Sequence, residues 1–226
     1  MSRARWVIRG GIFVVAVILL SQLIITPTSE PPIVANGLEW RVKSGDLLTF
    51  SIYVTGSRSF ELEGFGYIWT HLNNTRIVAN VIGLPTLDGF YNSTDFIDGI
   101  VELQKVSCTF ENGTSLSYDD LFLRGLISMA LFPTGSWIEL DLLFSNSWNG
   151  EWMMYGPDYV WVSRLDEETF FFGHLGESWH FTKGWSSRIN TTTGIPLAIE
   201  IHDDYHDAGF TSDSLHMDLV NYTTNQ

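Results

Sequence analysis

This chain lacks the cysteines that a disulfide framework needs: its 226 residues hold one, Cys108. A single thiol closes no internal loop, so the fold must rest on its hydrophobic core. Cys108 lies in the apolar, β-branched stretch 100–110, where its expected role is buried packing. It is too far along the chain to be a lipid-attachment cysteine closing a leader. Basic side chains are also scarce, with 12 Lys and Arg against 26 Asp and Glu and a net charge of −14. Arg3, Arg5 and Arg9 fall within the first thirty residues, where Glu30 is the sole acid. The remainder therefore holds nine basic and twenty-five acidic side chains. Such a balance repels phosphate backbones and argues against nucleic-acid binding. It keeps a surface soluble and attracts cations. Phosphate-loop and dinucleotide-binding glycine patterns are missing, as are internal repeats and long low-complexity tracts.

What is present is apolar and aromatic. Hydrophobic residues make up 45% of the chain and aromatic residues 14%, with nine Trp. That composition excludes intrinsic disorder and provides for one full core.

The N-terminus reads as a targeting segment. Three Arg precede an uncharged run, 10–29, whose heart is GIFVVAVILLSQLII. This is the charged-then-apolar order of a secretory signal, and arginines before the span keep the N-terminus in the cytoplasm. As a helix, residues 10–26 would reach roughly 25 Å, just enough to cross a bilayer. The continuation Thr26-Pro27-Thr28-Ser29-Glu30-Pro31-Pro32 fits a small-residue cleavage site poorly. A retained signal-anchor is therefore expected over a cleaved signal, with 1–30 as the anchor, 31–37 as a short Pro-rich stalk and 38–226 as one extracytoplasmic domain. Cleavage would make the protein secreted. Five Asn-x-Ser/Thr sequons, at Asn73, Asn92, Asn112, Asn190 and Asn221, suit a glycosylated outer-surface protein.

Alternating apolar and polar residues predict strands over most of the body. Residues 38–42 and 48–54, joined by Lys43-Ser44-Gly45-Asp46, read as an opening hairpin. Strand patterns follow at 76–82, 99–110 and 114–118, with Asn112-Gly113 as a hairpin turn. Later strand patterns occupy 159–163, 169–172, 178–189, 195–201 and 215–222. The run 126–132 is apolar apart from Ser128 and ends at Pro133-Thr134-Gly135. Ser136 then starts the best helix candidate, with Trp137, Leu140, Leu143 and Phe144 on one face and 146–150 as its stop. The expected fold is mainly β or α+β: an antiparallel sandwich or strongly curved sheet, one or two packed helices, and the N-terminal helix.

Two stretches carry a resemblance. Trp185-Ser186-Ser187-Arg188-Ile189-Asn190 followed by Thr193-Gly194-Ile195-Pro196-Leu197 resembles a hairpin of bacterial periplasmic lipoprotein carriers and related lipoproteins. Gly45-Asp46 followed by Phe50 and Tyr53 is similar to poorly characterised archaeal surface proteins with an N-terminal anchor. The first resemblance implies a curved antiparallel sheet around a hydrophobic cavity. Neither transfers a ligand-contacting residue to this chain.

Candidate chemistry centres on His202-Asp203-Asp204-Tyr205-His206-Asp207, with Asp213, His216 and Asp218 downstream. His202 and His206 have the i, i+4 spacing of a zinc-binding helix, and His216 and Asp213 could complete a set. On a helix the two imidazoles would stand about 6 Å apart; in a strand about 13 Å separates them. The polar context predicts a surface loop. Gly176-x-Ser178-x-His180 lacks the last glycine of a nucleophile elbow, and His174 stands close by. Asp88, Asn92, Asp95 and Asp98 are oxygen ligands of a kind that suits calcium, although their order is not that of an EF-hand. Asp166-Glu167-Glu168 reads as a solvated turn. Trp137, Trp148, Trp152 and Trp161 are either core rings or the lining of an apolar pocket. The expected function is a membrane-anchored protein binding a lipid-like or other amphipathic ligand rather than catalysing a reaction. The alternatives are a metal-dependent hydrolase using the His/Asp cluster, and a structural or adhesive envelope component. No cofactor follows from the sequence.

Overall fold

The computed structural model describes residues 37–55, 69–87, 89–145, 159–177, 181–205 and 211–225. All of them belong to one unit, Pro32–Gln226. The leader, and with it the expected anchor, lies outside the described residues. No helix among the described residues is long and apolar enough to cross a membrane.

Period-two alternation builds the sheet. In β1 (Leu47–Thr55), Leu48, Phe50 and Ile52 are buried, Thr49 and Ser51 between them are half-buried, and Leu47 and Tyr53 on either side are exposed. The same alternation runs through β2 (Arg76–Val81) and β3 (Val106–Phe110), whereas in β4 (Val160–Leu165) only Val162 is fully buried. The remaining strands are β5 (Thr169–Glu177), β6 (Phe181–Asn190), β7 (Pro196–Tyr205) and β8 (Thr211–Thr223), in which consecutive residues such as Trp185, Ser186 and Ser187 are buried. These strands form a single antiparallel sheet in the order β3-β2-β1-β8-β7-β6-β5-β4, with β3 and β4 as its unclosed edges. The sandwich alternative therefore gives way to one open sheet. The first and last strands meet in its middle, where β1 pairs with β8 from Leu47↔Thr223 to Thr55↔Ser214.

Three short helices lie between β3 and β4 in sequence or just before β3: α1 (Ser93–Phe96), α2 (Leu121–Ala130) and α3 (Trp137–Ser145). A π-helical turn, Ile97–Val101, extends α1. The predicted helix at 136–144 is α3, and the Ser136 carbonyl accepts the Leu140 N–H at 2.9 Å. Helix α2 has no counterpart in the sequence reading, because the apolar run 126–132 straddles its end: Leu131 is already extended.

Other expectations are corrected. Residues 38–42 form no strand, and the backbone of Glu39 pairs with Thr134 instead. Trp40 donates its indole N–H to the Pro85 carbonyl at 2.9 Å, and Val42 is buried, so tertiary packing accounts for the alternation. Within 99–110 the strand starts only at Val106. The first part is the π turn, whose Ile97, Ile100 and Val101 face the core. In 114–118 pairing is limited to the Thr109↔Ser115 bridge. The Asn112-Gly113 turn between them is present, with Gly113 at φ 83°.

Interlocked rings fill the space between helices and sheet. Phe132 lies 4.8 Å from Phe172 and 5.6 Å from Phe96, and Phe144 of α3 lies 5.0 Å from Phe172. Such pairs contribute about 0.5–1.5 kcal/mol each beyond burial. Ser163 of β4 ties α3 down by donating to the Asp141 carboxylate at 2.8 Å.

Candidate functional site: a serine, histidine and glutamate cluster on the outer sheet face

Strand alternation decides what the outer face carries. Ile199, Leu215 and Met217 are buried, and Ile201 packs against the same core. Their neighbours Glu200, His202, Ser214 and His216 consequently project from the opposite face. Register brings them together: Glu200 stands opposite His216 and His202 opposite Ser214. On one flank Ser186 of β6 pairs with Glu200. On the other, Tyr53 and Thr55 of β1 pair with His216 and Ser214.

The side chains form a continuous network. His216 Nδ1 lies 3.0 Å from Glu200 Oε1, and its Nε2 lies 2.9 Å from Ser214 Oγ. Since an ionised carboxylate only accepts, Nδ1 carries the proton and donates it to Glu200. In the neutral ring Nε2 then accepts from the Ser214 hydroxyl. The Thr55 hydroxyl is hydrogen-bonded to Ser214 Oγ in turn. His202 Nε2 is 3.4 Å from the other carboxylate oxygen, Oε2, and 3.2 Å from Ser186 Oγ. Ser214 is only 6% exposed. The side chains of His216 and Glu200 are 30% and 40% exposed, so the cluster is open to solvent on the imidazole and carboxylate side.

Two of the residues singled out for metal binding, His202 and His216, thus share one carboxylate. The strand β7 continues through His202 to Tyr205, which replaces the expected loop and removes the helical i, i+4 geometry at His202. Asp213 stands opposite Asp203 in the ladder, one register position away from the His202–Ser214 pair. His206 lies outside the described residues. Among the described residues no group of three His, Cys, Asp or Glu side chains is arranged to hold a metal ion. Both ring nitrogens of His216, and Nε2 of His202, are directed at Glu200 and the two serines. Glu200, Ser214, Ser186 and Thr55 were not singled out in the sequence. Their visible signal is the pair of i, i+2 spacings, Glu200-x-His202 and Ser214-x-His216, inside alternating strands.

The remaining candidates are placed as follows. Asn92 caps α1 by accepting the Asp95 N–H at 2.9 Å, and Asp95 accepts the Tyr91 N–H at 3.3 Å, so these oxygens serve the helix start. Asp98 is exposed in the π turn, and Asp88 lies outside the described residues. Trp137 and Trp161 are core rings: Trp137 lies 5.0 Å from Phe170 and donates its indole N–H to the Thr191 carbonyl at 2.8 Å. Trp161 stacks on Phe172 at 5.3 Å and on His174 at 4.5 Å. Burial lowers the pKa of His174, against the opposing charge of Glu102 and a backbone hydrogen bond at Tyr159. Trp148, Trp152, Ser178 and His180 lie outside the described residues. Asn73, Asn92, Asn112 and Asn221 are exposed, whereas Asn190 is half-buried and holds its own turn. A cleft of about 480 Å³ opens beside Asn112, lined by His71, Arg76, Glu111 and Asp120 among others. Its His71 and Asp120 pair at 2.8 Å.

Comparison of the chain with family models, with curated proteins and with solved structures finds no match.

Proposed function

We propose that this protein is anchored at a membrane by its N-terminal segment and that its extracytoplasmic β-rich domain binds a lipid-like or other amphipathic ligand. The observation that carries this reading is the composition of α3. Its Leu140 and Phe144 are buried in the ring cluster, and Trp137 and Leu143 pack against it. Yet Ile138 and Leu142, on the other side, are 65% and 58% exposed. A surface helix normally turns a polar face outward; α3 has only Glu139 and Asp141 as charged residues. A helix apolar on both sides suits a cover over an aromatic bed that also offers apolar surface to a ligand tail. The membrane location rests on the leader alone.

Native mass spectrometry of the full chain, transferred from detergent to amphipol, tests the reading. Co-purified lipid is expected as added mass on the wild type. Ile138→Ser/Leu142→Ser is expected to reduce bound lipid at least about tenfold, the factor corresponding to 1.4 kcal/mol. Equal lipid on both proteins, or none on either, overturns it.

A further inference from the structure

We propose that Ser214, His216 and Glu200 form a nucleophilic relay on the outer face of the sheet, with carboxylic esters as the substrate class. Three features carry this. The first is the order of contacts: Ser214 Oγ to His216 Nε2 at 2.9 Å, and His216 Nδ1 to Glu200 Oε1 at 3.0 Å. A carboxylate that fixes Nδ1–H leaves Nε2 as the base, directed at a hydroxyl. The second is rigidity. The three residues sit on adjacent central strands, opposite each other or two positions apart, so backbone pairing on both sides holds the geometry. His202 and Ser186 add positioning: His202 holds the second oxygen of Glu200 at 3.4 Å.

The third feature is the ground beside the cluster. Gly184 stands opposite His202, and Gly173 opposite Ser186. Both glycines are required by close backbone approach: a Cβ at Gly184 would lie 2.1 Å from the His174 carbonyl oxygen, and one at Gly173 2.6 Å from that of Trp185. Next in the same rows come Leu175, Val160 and Val162. Gly184 and Gly173 thus leave these rows without side chains next to the histidines, and the rows run on into apolar residues, Val162 being 7% exposed, a lining against which an acyl chain can pack.

The chemistry balances as a hydrolysis. Ser214 Oγ attacks the ester carbonyl carbon while its proton passes to His216 Nε2. The C–O bond to the alcohol breaks, and the alcohol leaves with that proton. Water, deprotonated by His216, then cleaves the acyl-serine to the free acid and restores Ser214. The Thr55 hydroxyl donates to Ser214 Oγ and so orients the nucleophile while Ser214 donates to His216. Backbone N–H groups around Ser214 are engaged in the β1–β8 and β7–β8 ladders, so turnover is expected to be slow.

A fluorophosphonate probe with the full-length protein tests the relay, since the attack of Ser214 Oγ on phosphorus with loss of fluoride repeats the first step. The expected result is one adduct, mapped by peptide mass to Ser214. It should disappear in Ser214→Ala, form about 100-fold more slowly in His216→Ala, and be unchanged in Ser107→Ala, an exposed serine of the edge strand β3. Thermal melts verify that each variant folds. If Ser214→Ala does not, Ser214→Cys replaces it, and its alkylation at pH 6 reports a thiol ionised by His216. No adduct on Ser214 in folded wild type, or equal labelling in His216→Ala, overturns the proposal. The relay lies on the face opposite α3, so these outcomes are independent of the lipid measurement.

Discussion

Lys105 is fully buried, and its ammonium nitrogen donates to the carbonyls of Ile100, Val101 and Leu103 at the end of the π turn. Burial pushes its pKa down to about 7, although those carbonyls favour the charged form. The unfolded chain keeps this proton to about pH 10.4. Between pH 7 and that value the unfolded state binds more protons, so stability rises with pH. Denaturant midpoints of the wild type are expected to increase from pH 7 to pH 9, by on the order of 2 kcal/mol in unfolding free energy. Lys105→Met should abolish that slope; a slope persisting in the variant would assign it to another group. The same burial logic raises Cys108 to about 12, in keeping with the packing role expected from its apolar surroundings. Nothing in the local sequence marks Lys105 as buried, because lysine is ordinarily solvated and only the arrival of β3 beside α2 encloses it.

At the scale of elements, the β6–β7 hairpin shows how a local signal and a distant contact combine. The Asn190 side chain accepts the N–H groups of Thr192 and Thr193, both at 3.0 Å, which is turn chemistry legible in the sequence. Gly194 is needed for two reasons. Its φ is 72°, and a Cβ there would lie 2.0 Å from the Phe132 carbonyl oxygen. The Phe132 N–H also donates to the Gly194 carbonyl at 3.0 Å. Gly194→Ala is therefore expected to cost at least about 2 kcal/mol by urea denaturation; a loss below 0.5 kcal/mol, the scale of an ordinary surface change, would mean that the hairpin tip yields freely. Most strands and α3 were legible because their periodicity is local. The 38–42 segment was not, because packing against Thr134 and Pro85 overrides pattern over so few residues, and α2 was not, because the apolar run 126–132 continues past its end and hides the helical spacing of Leu123, Leu126, Ile127 and Ala130.

At the scale of the whole domain, the turn before β1 is tied to the end of β8 and the residues after it. Asp46, just before β1, accepts the backbone N–H of Lys43 and of Asn225 and the Tyr222 hydroxyl at 2.8–2.9 Å. Burial alone would raise its pKa, but these hydrogen bonds hold it below the usual carboxylate value. Its contribution is therefore present above about pH 5 and lost as pH falls through the lowered pKa. Asp46→Ala is expected to destabilise the domain by about 2–3 kcal/mol at pH 7 and by progressively less in acid. Chemical denaturation at pH 7 and pH 3 checks this; a constant difference would show that the carboxylate charge is not involved.

By itself the sequence determined an acidic, β-rich chain with a single cysteine and an apolar N-terminal run, since charge, cysteine count and period-two alternation are readable one residue at a time. It also placed Glu200 with His202, and Ser214 with His216, at spacings that share a face in any strand. Only tertiary structure decided that β7 and β8 pair so as to set Glu200 against His216. A shift of β8 by one residue would have given all four other partners and turned Ser214 and His216 to the opposite face, because register is settled by the summed burial of Ile199, Leu215, Met217 and their neighbours and not by the polar residues themselves.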